Sequence, residues 1–345
     1  SCILKACSCH GLTGKGKSVH AQLFRSAWLR YNNILGNALV DMYIKCGVVW
    51  EAQRVFNDLP FRDVVSWTTL LTGYAQLRQD TEALNCLGQM QHEGYSPDVV
   101  TYACILKSCG SLVAVDKGEK IHAEIVREGL VGKTCMLDTA LVDMYAKCGR
   151  IENAQQVFDE LPYRNVVSWT ALIAGYAHIR KLDLVFNKFN KMIGEGVEPN
   201  LITFTVVLNA CSYLGLVERG QSYFETMSVN YGIIPTLGHQ ACMVNLFAGS
   251  GHFDKAIGVI KRLPSSGYLP AWSALLGACR KWENVKLGRL AFEYAVKLDA
   301  KSAVPYFCMS SLYAASGIRR DGFKQRFEEV SRKPGSNWLT INANI

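Results

Sequence analysis

The chain has 345 residues, 49% of them hydrophobic and 19% charged, which is too much apolar material for an intrinsically disordered chain. Its longest stretch without formal charge, Thr226 to Phe253, is interrupted by Gly232, Pro235, Gly238, Gly249 and Gly251 and cannot span a bilayer. A net charge of +8 is compatible with a polyanionic partner, and thirteen cysteines, an odd number in a long chain, read as reduced thiols rather than a disulfide framework.

In chain order, residues 1–32 read as a unit that has lost its first residues. The chain therefore begins inside a structural unit, and a targeting peptide is expected to precede it. From there a long repeat sets the pattern. Asn37-Ala-Leu-Val-Asp-Met-Tyr-Ile-Lys-Cys-Gly47 returns 102 residues later as Thr139-Ala-Leu-Val-Asp-Met-Tyr-Ala-Lys-Cys-Gly149, and Val64-Val-Ser-Trp-Thr68 as Val166-Val-Ser-Trp-Thr170. Cys2-Ile-Leu-Lys-Ala-Cys7 becomes Cys104-Ile-Leu-Lys-Ser-Cys109 and then Val206-Val-Leu-Asn-Ala-Cys211. Each 102-residue copy divides into units of 31, 35 and 36 residues: 33–63, 64–98 and 99–134, then 135–165, 166–200 and 201–236. A short unit at 237–268 follows, then more divergent ones at 269–302 and from 303 onward.

Each unit reads as two helices. Leu39, Met42, Tyr43 and Cys46 fall on one helical stripe, and Gly47 follows where a left-handed cap wants no Cβ. Ala52, Val55, Phe56 and Leu59 repeat the spacing until Pro60 stops the second helix. A hairpin this short has too little interior to stand alone, so neighbours are expected to stack into an all-α, right-handed superhelical solenoid.

The Val-Val-Ser-Trp-Thr and Met-Tyr-x-Lys-Cys-Gly strings, the Glu195-Gly-Val-Glu-Pro-Asn200 ending and the rotating lengths resemble the plant organellar pentatricopeptide repeat family. More closely, they are similar to the subclass that cycles through standard, long and short motifs. Trp272-Ser-Ala-Leu-Leu-Gly-Ala-Cys279, Ser311-Leu-Tyr-Ala-Ala-Ser-Gly317 and Lys333-Pro-Gly-Ser-Asn-Trp338 resemble the C-terminal extension motifs of its RNA editing factors. The repeat array would then occupy 1–268 and the extension motifs, tetratricopeptide-like helical pairs, 269–345.

What the resemblance implies is a non-catalytic binder of single-stranded organellar RNA. It would act in a mitochondrion or chloroplast and select sites for C-to-U editing, with a deaminase or other editing co-factors supplied in trans or beyond Ile345. Splicing or transcript protection, or a tetratricopeptide-type protein scaffold, remain alternatives. In this family one base is read per unit by the fifth and the last residue. Carried over, Asn37 with Asp63 implies uracil, Thr68 with Asp98 guanine, and Thr139 with Asn165 and Thr170 with Asn200 adenine. Ile34, Val65, Met136 and Val167 would pack on base faces. Ala103 with Thr134, Thr205 with Thr236, and Ala241 with Tyr268 match no well-understood pair. The implied RNA is U-G-N-A-A-N-N, read 5′ to 3′ from unit 33–63.

The plain alternative for Asn37, Thr68, Thr139 and Thr170 is helix N-capping, for which Ser, Thr, Asn and Asp are preferred. Trp67 and Trp169 are expected to pack between helices. His122-Ala-Glu124 has the His-x-Glu look of a zinc deaminase but no Cys-x-x-Cys follows, and Val19-His20-Ala21 holds the same register, so repeat packing is the expectation. Cys7, Cys109 and Cys211 lie three units apart, roughly 30 Å at ordinary helix spacing, and read as small buried apolar residues rather than ligands of one metal. No phosphate loop or nucleophile–base constellation is present, and neither cofactor nor metal is expected.

Overall fold

The computed structural model describes residues 2–26, 32–263, 269–300 and 302–317. They contain helices and turns, with no strand among the described residues. The chain divides into two compact units, Ser1–Lys181 and Leu182–Ile345. This division falls inside the stretch 166–200, whereas the sequence placed its one boundary at 268/269. In a stack where each layer meets only its neighbours, no single interface is privileged as a domain border.

The first unit holds α1 (Cys2–His10), α2 (Thr13–Arg25), α3 (Asn33–Lys45), α4 (Val49–Asn57), α5 (Val64–Gln76), α6 (Asp80–His92), α7 (Val99–Leu112), α8 (Val115–Arg127), α9 (Cys135–Lys147), α10 (Ile151–Glu160) and α11 (Val166–His178). Odd-numbered helices pack on one another in chain order, and each even-numbered helix packs on the helix before and the helix after it. The result is an α-solenoid whose first helices form a continuous layer. The second unit repeats the scheme with α12 (Leu182–Gly194), α13 (Leu201–Leu214), α14 (Val217–Val229), α15 (Leu237–Gly249), α16 (Phe253–Lys261), α17 (Leu269–Lys281), α18 (Val285–Leu298) and α19 (Val304–Ala315).

The core follows the apolar stripes. Leu39, Met42 and Tyr43 of α3 and Ala52, Val55 and Phe56 of α4 are buried, as are Leu141, Met144, Tyr145, Ala154, Val157 and Phe158 in the next copy. Trp67 meets Phe56 edge-to-face with ring centroids 4.7 Å apart, and Trp169 meets Phe158 at 4.6 Å, so both tryptophans pack between helices as the repeat implied. Arg62 lies 5.1 Å over Phe56 and donates to the carbonyls of Phe56 and Asn57, and Arg164 repeats this over Phe158 at 5.0 Å. These two cations tie down the turn that delivers the chain into the following helix.

Close approach of neighbouring layers depends on glycine at a few positions. A Cβ on Gly118 of α8 would stand 2.5 Å from the Met144 sulfur, and one on Gly16 of α2 would stand 2.6 Å from that of Met42. The thioether occupies the space a side chain would need. At the helix ends Gly47, Gly149 and Gly251 adopt φ of +76°, +72° and +83°, the left-handed caps read from the sequence. Cys7, Cys109 and Cys211 are buried in the first-helix layers, and burial pushes the thiols of Cys109 and Cys211 up to about 11.

His122 donates to or accepts from the Tyr145 hydroxyl at 2.9 Å, and His20 meets Tyr43 in the same way at 3.0 Å. Glu124 accepts from Gln91 at 3.2 Å on the surface. The His-x-Glu string is repeat packing. Of the strings that resemble extension motifs, Trp272–Cys279 lies on α17, where Trp272 stacks on Tyr294 at 4.5 Å, and Ser311–Gly317 closes α19. Lys333–Trp338 and Tyr268 lie outside the described residues.

Candidate nucleic-acid interface

Among the described residues, the last residue of each predicted repeat up to 201–236 stands at the N-cap of the next repeat's first helix. Asn32, Asp63, Asp98, Thr134, Asn165, Asn200 and Thr236 stand at the N-caps of α3, α5, α7, α9, α11, α13 and α15, all in extended backbone conformation. The fifth residues, Asn37, Thr68, Thr139 and Thr170, sit in the second turns of α3, α5, α9 and α11. Capping is therefore the work of the last residue and not of the fifth, which corrects the capping alternative for those four.

A cap constrains which atom points where. Backbone N–H groups at a helix start need an acceptor, so an Asp or Asn cap must turn one oxygen toward them. Asp63 Oδ1 accepts from the Ser66 amide and hydroxyl, both at 2.7 Å. Asp98 Oδ1 accepts from the Thr101 amide and hydroxyl, both at 2.8 Å. Asn165 Oδ1 takes the amides of Val167 and Ser168 at 2.9 Å, and Asn200 Oδ1 those of Ile202 and Thr203 at 2.9 and 3.0 Å. The second terminal atom is left over. For Asp63 and Asp98 it is an oxygen that only accepts; for Asn165 and Asn200 it is an NH2 that only donates.

Two of these caps, Asp63 and Asn165, also bond back into their own repeat. Asp63 is reached by the side chains of Asn37 and Asn33, the fifth and first residues of 33–63. Burial pushes the Asp63 carboxyl up, but the bonds from Ser66, Asn37 and Asn33 outweigh it and hold the group below its ordinary value of 3.8. Asn37 Oδ1 is shielded from solvent and has no hydrogen-bond partner. In 64–98 the link runs through a buried hydroxyl. Thr101 gives its proton to Asp98, so Thr68, 2.7 Å away, donates to Thr101 and keeps its own lone pairs. In 135–165 the Asn165 NH2 donates to the sulfur of Cys135, the first residue of that repeat.

Beside these polar atoms runs an apolar row with no place in the core. Ile34, Val65, Met136 and Val167 are 74%, 60%, 49% and 53% exposed, each one residue into its helix. Val100 of α7, also exposed, continues the row in the first unit, and Ile202 of α13 holds the same register in the second.

The remaining candidates are less equipped. Ala103 offers no hydrogen-bonding group, while the Thr134 hydroxyl is shielded and without a partner. Ala241 lies half-buried on α15. Thr205 and Thr236 each bond to His239, which is 1% exposed. Thr170 is buried on α11 of the first unit, and Asn200 caps α13 of the second. Reading from sequence missed the wiring residues Ser66, Thr101, Ser168, Thr203 and His239. Their signal was present: each stands three residues after a cap, the spacing of a capping box.

Comparison with known proteins gives concordant matches. Residues 62–111 and 164–212 match the PPR repeat family, and residues 37–64, 139–166 and 202–230 match the PPR repeat. A pentatricopeptide repeat-containing protein of Arabidopsis thaliana is 33% identical over 99% of this chain and 69% of its own length. Another from that plant, the chloroplastic protein CRR2, is 35% identical over 100% of this chain and 53% of its own. A third, described as mitochondrial, is 35% identical over 92% of this chain and 57% of its own. The chain spans about half the length of most of these relatives. Among solved structures, PPR10 crystallised with an 18-nucleotide psaJ RNA element superposes with a TM-score of 0.74 at 18% identity, covering 92% of this chain and 48% of that one. This last likeness is one of fold.

Proposed function

The chain belongs to the pentatricopeptide repeat family, and on that premise we propose that it is a sequence-specific single-stranded RNA-binding protein of a plant organelle. The observation that carries the reading is the fixed orientation of the caps. A uracil presents N3–H and a guanine N1–H at the pairing edge, and both require an acceptor. Adenine N1 requires a donor. The second carboxylate oxygens of Asp63 and Asp98 suit uracil and guanine as acceptors, and the NH2 groups of Asn165, which keeps a second N–H beside the one given to Cys135, and of Asn200 suit adenine as donors.

The fifth residue refines the choice. Thr68, having given its proton to Thr101, offers lone pairs to the guanine N2 amine. Asn37 pairs with Asp63 and brings an amide to a uracil carbonyl. Ile34, Val65, Met136 and Val167 pack on base faces, which explains an apolar row kept in water. The RNA read by the chain is then U-G-N-A-A-N-N. Titration of the protein with that oligonucleotide against one of permuted order is the test. Affinity for the first should exceed the second by at least about tenfold and fall steeply with salt. Equal affinity for both, or tight binding of a peptide partner with no RNA binding, would refute it.

The finer reading is that this is a factor of the standard, long and short motif subclass, selecting cytidines for C-to-U editing through its C-terminal extension motifs, with the deaminase outside this chain. CRR2 is chloroplastic and the third relative mitochondrial by name, which supports an organelle without choosing one. Sequencing organellar transcripts from a plant lacking the protein tests it. One cytidine left unedited just 3′ of a matching site supports editing; edited transcripts with a splicing or abundance defect point to the other outcomes.

A further inference from the structure

The long repeat 201–236 carries hydroxyls at both reading positions, Thr205 and Thr236, yet a residue from the following helix intervenes. His239 stands on α15 where Thr101 stands on α7, three residues past the cap. The Thr236 amide donates to His239 Nδ1 at 3.2 Å, which makes that nitrogen the acceptor and places the ring proton on Nε2. The Thr236 hydroxyl, 2.7 Å from Nδ1, therefore spends its proton there. Nε2–H reaches the Leu201 carbonyl at 2.8 Å and lies 3.1 Å from the Thr205 oxygen. Thr205 donates its own proton to Leu201 at 2.9 Å.

Both hydroxyl protons are thus consumed inside the protein, and the two oxygens are held at opposite edges of one imidazole ring. In 64–98 a single Thr101 oxygen draws Thr68 and Asp98 to the same point, at 2.7 and 2.8 Å. A base edge presents adjacent groups, so two oxygens held a ring's width apart cannot clamp it together. Neither oxygen has a proton left to donate, and neither is anchored to the other.

We propose that His239 silences base discrimination by the repeat 201–236, making it a spacer that passes over the sixth nucleotide. This rests on the RNA reading above. His239 acts as a positioning residue, through Thr205 and Thr236, and not by touching the base.

The test is binding of the full chain to four oligonucleotides, U-G-N-A-A-X-N, with X as each base in turn. The unaltered protein should bind all four within about twofold. The T236D/H239T pair, which copies Asp98 and Thr101 beneath the existing Thr205, should prefer guanine at X by at least about tenfold. Should that pair not fold, T236D/H239S, copying Asp63 and Ser66, is expected to do the same. Preference for one base at X by the unaltered protein beyond about tenfold overturns the proposal. So does a folded double variant that stays indifferent at X while still requiring U-G-N-A-A. Loss of the requirement for U-G-N-A-A in the unaltered protein is a different result: it refutes the RNA reading itself, and the inference with it.

Discussion

Replacing Asn165 by Asp changes one atom facing the repeat 135–165 while keeping the one that faces α11. The carboxylate retains an oxygen for the amides of Val167 and Ser168, and Asp is as good an N-cap as Asn. A negative charge at that helix start is favourable by about 0.3–1 kcal/mol, so the fold should hold or gain slightly. What is lost is the NH2 now directed at Cys135; what appears is an acceptor. Adenine at the fourth base then meets acceptor against acceptor, and guanine gains a partner for N1–H. Taking the low end of base discrimination for each, about 1 kcal/mol, the two effects sum to about 2 kcal/mol, near a thirtyfold swing in the adenine-to-guanine affinity ratio. Fluorescence anisotropy with two seven-mers differing only at the fourth base measures it. An unchanged ratio in a variant that melts normally would refute the reasoning, as would an equal loss for both RNAs.

Other consequences are independent of that atom. Val113 ends α7 at φ +55°, whereas Gly11 and Gly215, 102 residues to either side, hold +62° and +68°; Val113→Gly should stabilise the surrounding layers by about 0.5–1 kcal/mol and Gly215→Val destabilise by a similar amount, and slower amide exchange in α7 and α8 of the first variant is the readout. Burial lowers the pKa of His20 and His122 below 6.5, so the unfolded chain takes up protons first. Stability should be full above that value and decline as pH falls through it, visible as a lower urea midpoint at about pH 6 than at about 7.5; a midpoint indifferent to pH, or unchanged in slope when both are replaced by Gln, contradicts this. Ile34→Ala with Val65→Ala removes side chains that are largely in water, so melting should shift by less than about 0.5 kcal/mol while RNA affinity drops about fivefold or more. Lost stability with unchanged RNA affinity would place these residues in the core instead.

Much of the architecture was legible because a repeat writes its local rules several times. The recurrence of Met-Tyr-x-Lys-Cys-Gly at 37–47 and 139–149 announced a helix and its left-handed cap, and the recurring tryptophans at 67 and 169 announced packing between helices, although not that Phe56 and Phe158 are their partners. The side chains that would face a ligand were legible by residue type only. That Asp63 and Asn165 cap the next helix, and so expose an oxygen in one case and an amine in the other, depends on backbone amides whose direction no residue pattern states. His239 was illegible for a related reason. Its role comes from two threonines 34 and 3 residues earlier in the chain, which only folding brings to the two edges of its ring. The division at Lys181 and Leu182 left no mark that the repeat pattern announces, since it falls inside the unit 166–200 and not at a repeat boundary.

The central claim, one base per repeat in fixed register, is tested most directly by crossing three cap variants with three positions of the RNA. Asp63→Asn, Asp98→Asn and Asn165→Asp are each titrated with oligonucleotides varied at the first, second and fourth base. Each variant should alter preference at its own position alone: uracil to cytosine at the first, guanine to adenine at the second, adenine to guanine at the fourth. A variant that changes preference at a neighbour's position, or that weakens every RNA alike, would contradict the account.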